Sequence, residues 1–273
     1  MTAAIVVLTD FLAVSNRALA YAAALAVPLE AHLVLLHVRH DGLLAPQEYA
    51  HRHAGRNLRS TQQALHTLAE SQPVPTQIEI SESFLPDAVA EAVRHHQPLL
   101  LVLGRPGTAT APAEVVTSAA MDLLRQAPCP LLIVPTVGWD AVAPRRLVLA
   151  VDGEPFALCD NHLLVLRMLE KLNGLLEVVH VTDKRTPKHG AAHILYTVQA
   201  GGLAGHLSPN QVSIVHGLQP VAGILQAASD FHADLIVLVA RRHNLLSSLF
   251  HRSVTAQLLS DSPVPVLLLP SLD

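Results

Sequence analysis

Pro98–Pro135 reads PLLLVLGRPG…LLRQAPCPLLIVP, and Ala233–Pro270 reads ADLIVLVARRH…LLSDSPVPVLLLP. Laid over each other, the two stretches align without a gap. Pro128, Pro130 and Pro135 fall on Pro263, Pro265 and Pro270, and Ser118 falls on Ser253. The match extends to the front of each half. IVVLTD, ending at Asp10, pairs with LVLAVD, ending at Asp152, and LLHV, ending at Val38, pairs with VVHV, ending at Val181. Matches in the same order, each at the end of an apolar run, mark an internal duplication. Two domains follow, 1–140 and 145–273, with Gly138 to Pro144 as the linker.

Within the first half, short Val/Ile/Leu runs alternate with stretches of helical period. Strands are expected over 4–9, 31–38, 75–81, 99–104 and 131–135, and helices over 14–27, 47–71, 86–96 and 113–126. Pro28 stops the first helix. Near-continuous apolar runs are what strands buried on both faces look like, and β-α alternation calls for a parallel sheet with right-handed crossovers. The second half repeats the order, although residues 184–206 carry Pro187 and several glycines that blur its second helix.

Composition narrows the function classes. Hydrophobic residues make up 51% and charged residues 15%, so a core is affordable and disorder is not expected. A net charge of −4, with no Lys/Arg-rich run, argues against nucleic acid as a partner. The chain opens on the apolar run Ile5–Leu8 with no basic segment or cleavage site before it, and no apolar stretch approaches the ~18 residues of a membrane helix. The expectation is a cytoplasmic protein that does not engage a membrane. Cys129 and Cys159 form no CxxC pair. Cys129, between two prolines before a strand, is expected to pack, as is Cys159 in an expected helix.

Ligands of an open parallel sheet bind outside the carboxyl ends of its strands, where the strand order reverses. That rule selects Leu8-Thr9-Asp10, Val38, the loop that begins at Gly104, and the helix start near Ser118. Gly104 and Gly107 follow a strand and precede a helix, so backbone N–H groups there can approach an anion. Asp10 can accept a hydrogen bond from a base or ribose. Glycines after strands also serve plain turns, and that reading stands beside the functional one. No Walker motif, GxGxxG or G-x-S-x-G is present, and Ser118 has no His–Asp pattern near it.

These residues resemble the universal stress protein family, over essentially the full length and twice. The features that carry the resemblance are VVLTDF with Asp10, LLHV ending at Val38, LVLGRPG with Gly104 and Gly107, and QAPCPLLIVP after the last helix; RRHNLLSSLFHRSV and DSPVPVLLLP add to it in the second half. The resemblance implies an α/β fold: two tandem, open-twisted, five-stranded parallel-sheet sandwiches of adenine nucleotide alpha hydrolase-like or Rossmann-like type, related by a pseudo-two-fold. It further implies an adenine and ribose pocket lined by Leu8, Thr9, Asp10, Val38 and Leu103. Family members that bind ATP carry G-x2-G-x9-G-(S/T) after the fourth strand. Here nine residues lead from Gly107 to Thr117 and then Ser118, so Thr117 stands where the third glycine would be, with Glu114 in the same segment. In the second half Val239 and Arg242 stand at the places of Gly104 and Gly107, and Arg252 at that of Thr117. Arg241, Arg242, His243, His251 and Arg252 form a basic cluster there, read either as a solvated loop and helix start or as an anion site built from side chains. Asp152, next to Gly153, is read as shaping a turn or capping a helix.

Seventeen histidines raise a metal hypothesis. His51 and His53 do not share a helical face, and His95-His96 lacks an accompanying motif, so both groups read as surface or capping residues. His37 and His180 occupy matching repeat positions, where a packing role is expected. Three functions remain open on the sequence. The first is a non-enzymatic stress sensor or scaffold whose first half binds ATP, with Mg2+, or another adenine nucleotide. The second is an interaction module that uses no nucleotide, with vestigial sites and an unknown protein partner. The third is a weak ATP hydrolase. The resemblance also implies pairing of the last strands, 131–134 and 266–269, as an intramolecular pseudo-dimer, with a homodimer as a further expectation.

Overall fold

A computed structural model of the chain describes residues 3–10, 13–39, 58–105, 113–136, 142–182, 190–203, 207–241 and 253–272. The chain divides into two compact units, Met1–Ala143 and Pro144–Asp273.

The first unit contains β1 (Ala3–Leu8), α1 (Ala13–Ala26), β2 (Ala31–Val38), α2 (Leu58–Glu70), β3 (Thr76–Ser81), α3 (Leu85–His96), β4 (Leu100–Arg105), α4 (Ala113–Gln126) and β5 (Leu131–Pro135). Its strands lie in the order β3-β2-β1-β4-β5. Each neighbouring pair is parallel: β1 with β2 through Ala3↔Ala31 to Leu8↔Leu36, and β1 with β4 through Ile5↔Leu100 to Val7↔Val102. β3 continues on β2, and β5 on β4, in the same sense. The apolar runs explain the arrangement. Ile5, Val6, Val7 and Leu8 are fully buried, as are Leu33 to Leu36 and Leu101 and Val102. Side chains of a strand alternate between faces, so burial of consecutive residues requires cover on both. At roughly 1.5–3 kcal/mol per fully buried aliphatic side chain, these central strands dominate the core. The outer strand β3, TQIEIS, is only partly buried. Of the helix expected over 47–71, residues 58–70 are helical, and 47–57, including His51 and His53, lie outside the described residues.

The second unit repeats the plan with β6 (Arg146–Val151), α5 (His162–Lys171), β7 (Leu175–Thr182), α6 (Ala191–Val198), β8 (Val212–His216), α7 (Pro220–Asp230), β9 (Leu235–Ala240), α8 (Val254–Asp261) and β10 (Val266–Pro270). Its order is β10-β9-β6-β7-β8, again with parallel pairs. In both units the first and fourth strands are central neighbours. The blurred second helix resolves into α6 followed by a wide turn, Gln199–Leu203, in which Gly202 takes φ 116°. Gly201 lies so close to the Phe156 ring that a Cβ there would meet it at 2.3 Å. Among the described residues, no helix is long and apolar enough to cross a membrane.

Candidate functional site

In the first unit the chain leaves β1 toward β2 and leaves β4 toward β5, in opposite directions along the sheet, so the strand order reverses between β1 and β4, the place where ligands of open parallel sheets bind. Leu8, Thr9 and Leu103 line this edge as buried residues, and Asp10 is half-buried. Gly104 is buried within β4 and pairs with Val134 of β5. Val38, one strand over at the end of β2, is also buried. Thr9 prolongs β1 by one step. Its N–H donates to the Leu36 carbonyl at 3.0 Å, and its own carbonyl accepts from His37 Nδ1 at 2.9 Å. A carbonyl only accepts, so the hydrogen of His37 sits on Nδ1. Ser15 of α1 comes up beneath, accepting from the Asp10 N–H at 3.4 Å and lying 3.5 Å from Thr9 Oγ1. Sequence reasoning passed over Ser15. The signal for it is a buried hydroxyl in an otherwise Ala-rich helix.

The remaining candidates sit on α4 or before it. Thr117 is buried and Ser118 exposed. α4 begins at Ala113, so they are its fifth and sixth residues, and the N–H groups without an intrahelical acceptor belong to the turn before them. The backbone of Glu114 is in that first turn, while Gly107 lies outside the described residues. Leu8, Thr9, Asp10, Val38, Leu103 and Gly104 therefore share neighbouring strand ends, and Thr117 and Ser118 belong to the helix that follows.

The second unit reproduces the frame and changes its contents. His180 Nδ1 donates to the Val151 carbonyl at 3.0 Å, the counterpart of the His37–Thr9 bond, so both histidines tie the first two strands together. Asp152 follows β6 as Asp10 follows β1. Its Oδ1 accepts from the Glu154 N–H at 3.0 Å, with Gly153 at φ 86°, which makes it the turn-shaping residue of the sequence reading. It also has a partner that reading did not foresee. Arg241, the first residue after β9, is only 6% exposed, which overturns the solvated-loop reading for this member of the basic cluster. Its Nε reaches Asp152 Oδ2 at 3.2 Å and its NH2 reaches Oδ1 at 2.9 Å, a bidentate fork. NH2 also donates to the Glu154 carbonyl at 2.8 Å, and NH1 to the Pro155 carbonyl at 2.6 Å. The guanidinium thus bridges from the end of β9 to the turn after β6, and the anion it holds is the protein's own carboxylate. Arg242, His243, His251 and Arg252 lie outside the described residues. Ser253 serves as N-cap of α8, accepting from the Ala256 N–H at 3.1 Å.

The cysteines separate in character. Cys129 is buried, and burial pushes its thiol from the ordinary 9.0 up to about 12. Cys159 is exposed and lies in a one-turn 3-10 segment, Cys159–Asn161, ahead of α5, so the expectation that it packs within a helix does not hold. Its backbone sits at φ 46°, in the left-handed region, three residues ahead of the start of α5 at His162.

The two units are thus duplicate parallel α/β modules in which the strand order reverses between the first and fourth strands, and in the second unit Arg241 spans that switch to reach Asp152. A family-level comparison agrees with the duplication: the universal stress protein family matches residues 1–135 and again 144–270. The chain belongs to the universal stress protein family, as a tandem two-domain member. No curated protein matches the chain. A universal stress protein from Archaeoglobus fulgidus DSM 4304 superposes with a TM-score of 0.69 at 17% identity, covering 98% of each chain. A Pseudomonas aeruginosa UCBPP-PA14 protein assigned to the same family superposes with a TM-score of 0.60 at 16% identity, covering 99% of this chain and 94% of that one. The cytoplasmic domain of a prokaryotic cation chloride cotransporter shares the arrangement at 10% identity and TM-score 0.51, covering 100% of this chain and 96% of that one. At these identities the likenesses speak to fold alone.

Proposed function

We propose that the chain is a non-enzymatic stress-response protein that takes one adenine nucleotide, in its first unit, while its second unit is held closed by its own arginine. The observation that carries this reading is the Arg241–Asp152 clamp. In the ungapped alignment of the repeats, Arg241 falls on Pro106, so the sequence supplies the first unit with no arginine at the place from which the second closes its crevice. Asp10 then occupies the position of Asp152 and is the group to accept a ribose hydroxyl. Leu8, Val38 and Leu103 supply apolar walls for a purine with Thr9 beside them, and Gly104, which presents no Cβ, leaves room for backbone to meet an anion. Gly107 and the first turn of α4 would carry the phosphates, with Mg2+ balancing their charge. Thr117, in the place of the family's third glycine, favours the other reading: an interaction module that uses no nucleotide.

Calorimetric titration with ATP and Mg2+ at hundreds of micromolar separates the two. The nucleotide reading expects one site per chain, at least about tenfold weaker in Asp10→Ala and unchanged in Asp152→Ala. Absence of heat in the wild-type chain overturns it in favour of the interaction module. Phosphate release that is lost in Asp10→Ala would instead revive a hydrolase.

A further inference from the structure

The pair His95-His96 has no chelating motif in the sequence, but the fold brings it a third ligand from another element. Glu79 of β3 places Oε2 2.6 Å from His96 Nε2. The His95 and His96 rings lie 4.5 Å apart between centroids, tilted by 31°. One ligand atom from each of Glu79, His95 and His96 lies within 4.8 Å of the other two. α3 ends here, with Gln97 in the left-handed region at φ 43°, so the two consecutive histidines occupy the last helical positions rather than a continuing helix. The Glu79 and His96 side chains are largely shielded, at 26% and 11% exposure, while His95 is open to solvent.

We propose that Glu79, His95 and His96 form a transition-metal site, for Zn2+ or a like imidazole-seeking dication. Around a tetrahedral zinc, with bonds of about 2.0–2.2 Å, ligand atoms stand about 3.4 Å apart. The cluster meets that spacing when His95 closes inward by up to about 1.4 Å and Glu79 and His96 part slightly. Two imidazoles and one carboxylate suit zinc, nickel or copper, whereas Mg2+ and Ca2+ seek oxygen ligands. Three protein ligands leave a fourth position to water. α3 runs from the carboxyl end of β3 to the amino end of β4, so its last turn lies at the opposite end of the sheet from the Asp10 crevice. The site is independent of the nucleotide reading.

The test is calorimetric titration of the full chain with ZnCl2 in a non-chelating buffer, paralleled by Co2+ absorption. The wild-type chain is expected to bind one ion with micromolar affinity at a site where Co2+ shows the intense visible bands of tetrahedral coordination. His95→Ala and Glu79→Gln are each expected to bind that ion at least about tenfold more weakly, with unchanged melting in metal-free buffer. His95→Ala changes an exposed side chain, so the comparison survives if Glu79→Gln perturbs folding. Equal affinity and equal Co2+ spectra in the wild type and His95→Ala overturn the proposal, as does wild-type binding no tighter than about millimolar.

Discussion

Arg241 concentrates in one side chain what separates the two crevices. It makes its bonds to a carboxylate and to two carbonyls of the turn that follows β6, so removing it strips the turn of its centre. Asp152 keeps 56% of its side-chain surface in water, which limits the energy of the ion pair itself. Most of the cost lies in the Glu154 and Pro155 carbonyls and in the space the guanidinium fills. Arg241→Ala is therefore expected to lower stability by about 2 kcal/mol, and Asp152→Asn, which leaves the guanidinium its two carbonyl partners, by less, read from urea midpoints. Equal losses would show that the pair, and not the carbonyl bonds, holds the turn. Cys129 allows a pH prediction with a definite sign. Below about pH 9 its thiol is neutral in both states. Between the ordinary 9.0 and about 12 the unfolded chain releases the proton and the folded chain keeps it, so stability falls as pH rises through that window. Cys129→Ala is expected to lose less stability than the wild type between about pH 8 and pH 10, by roughly 1 kcal/mol. In the native state iodoacetamide is expected to label Cys159 and spare Cys129.

At the scale of elements, helices are held close to the sheet by small residues. Gly223 of α7 faces β7, where an added Cβ would meet the Val181 side chain at 2.6 Å. Gly223→Ala is expected to cost about 1–3 kcal/mol by overpacking. Val181→Ala combined with Gly223→Ala is expected to recover part of it, and strict additivity in that double-mutant cycle would refute the contact. The same elements show what could be read from residues alone. Strands such as IVVL and LVLLHV were legible because burial on both faces leaves an unbroken apolar run, and the repeat fixed their order. Residues 191–203 were not, because the break after α6 comes from Gly202 and from the packing of Gly201 on Phe156, which no periodicity reveals. The Asp10 side of the crevice was legible as a strand end. Arg241 was not: ARRH reads as a basic loop until β6 and β9 are known to be neighbours. The available clue was that Asp152 persisted while Gly104 and Gly107 became Val239 and Arg242. Glu79 likewise joins His95 and His96 only through the fold.

For the molecule as a whole, the proposed function requires that, of two duplicated units, one responds to nucleotide and the other does not. A ligand that binds only one unit stabilises that unit by RT ln(1 + [L]/Kd), about 2.7 kcal/mol at a hundredfold excess over Kd, and adds no binding energy in the other. Hydrogen exchange in the intact chain reads the two halves separately. With ATP and Mg2+, slower exchange is expected in peptides spanning residues 3–10 and 99–105, the ends of β1 and β4, and unchanged exchange in those spanning 146–156 and 235–241. Arg241→Ala should raise exchange at 152–156 whether or not nucleotide is present, because the Glu154 N–H and its neighbours lose the turn that the guanidinium organises. Protection in the second pair of peptides would mean that ATP displaces Arg241 from Asp152. The clamp would then be a competitor for nucleotide and not a permanent closure.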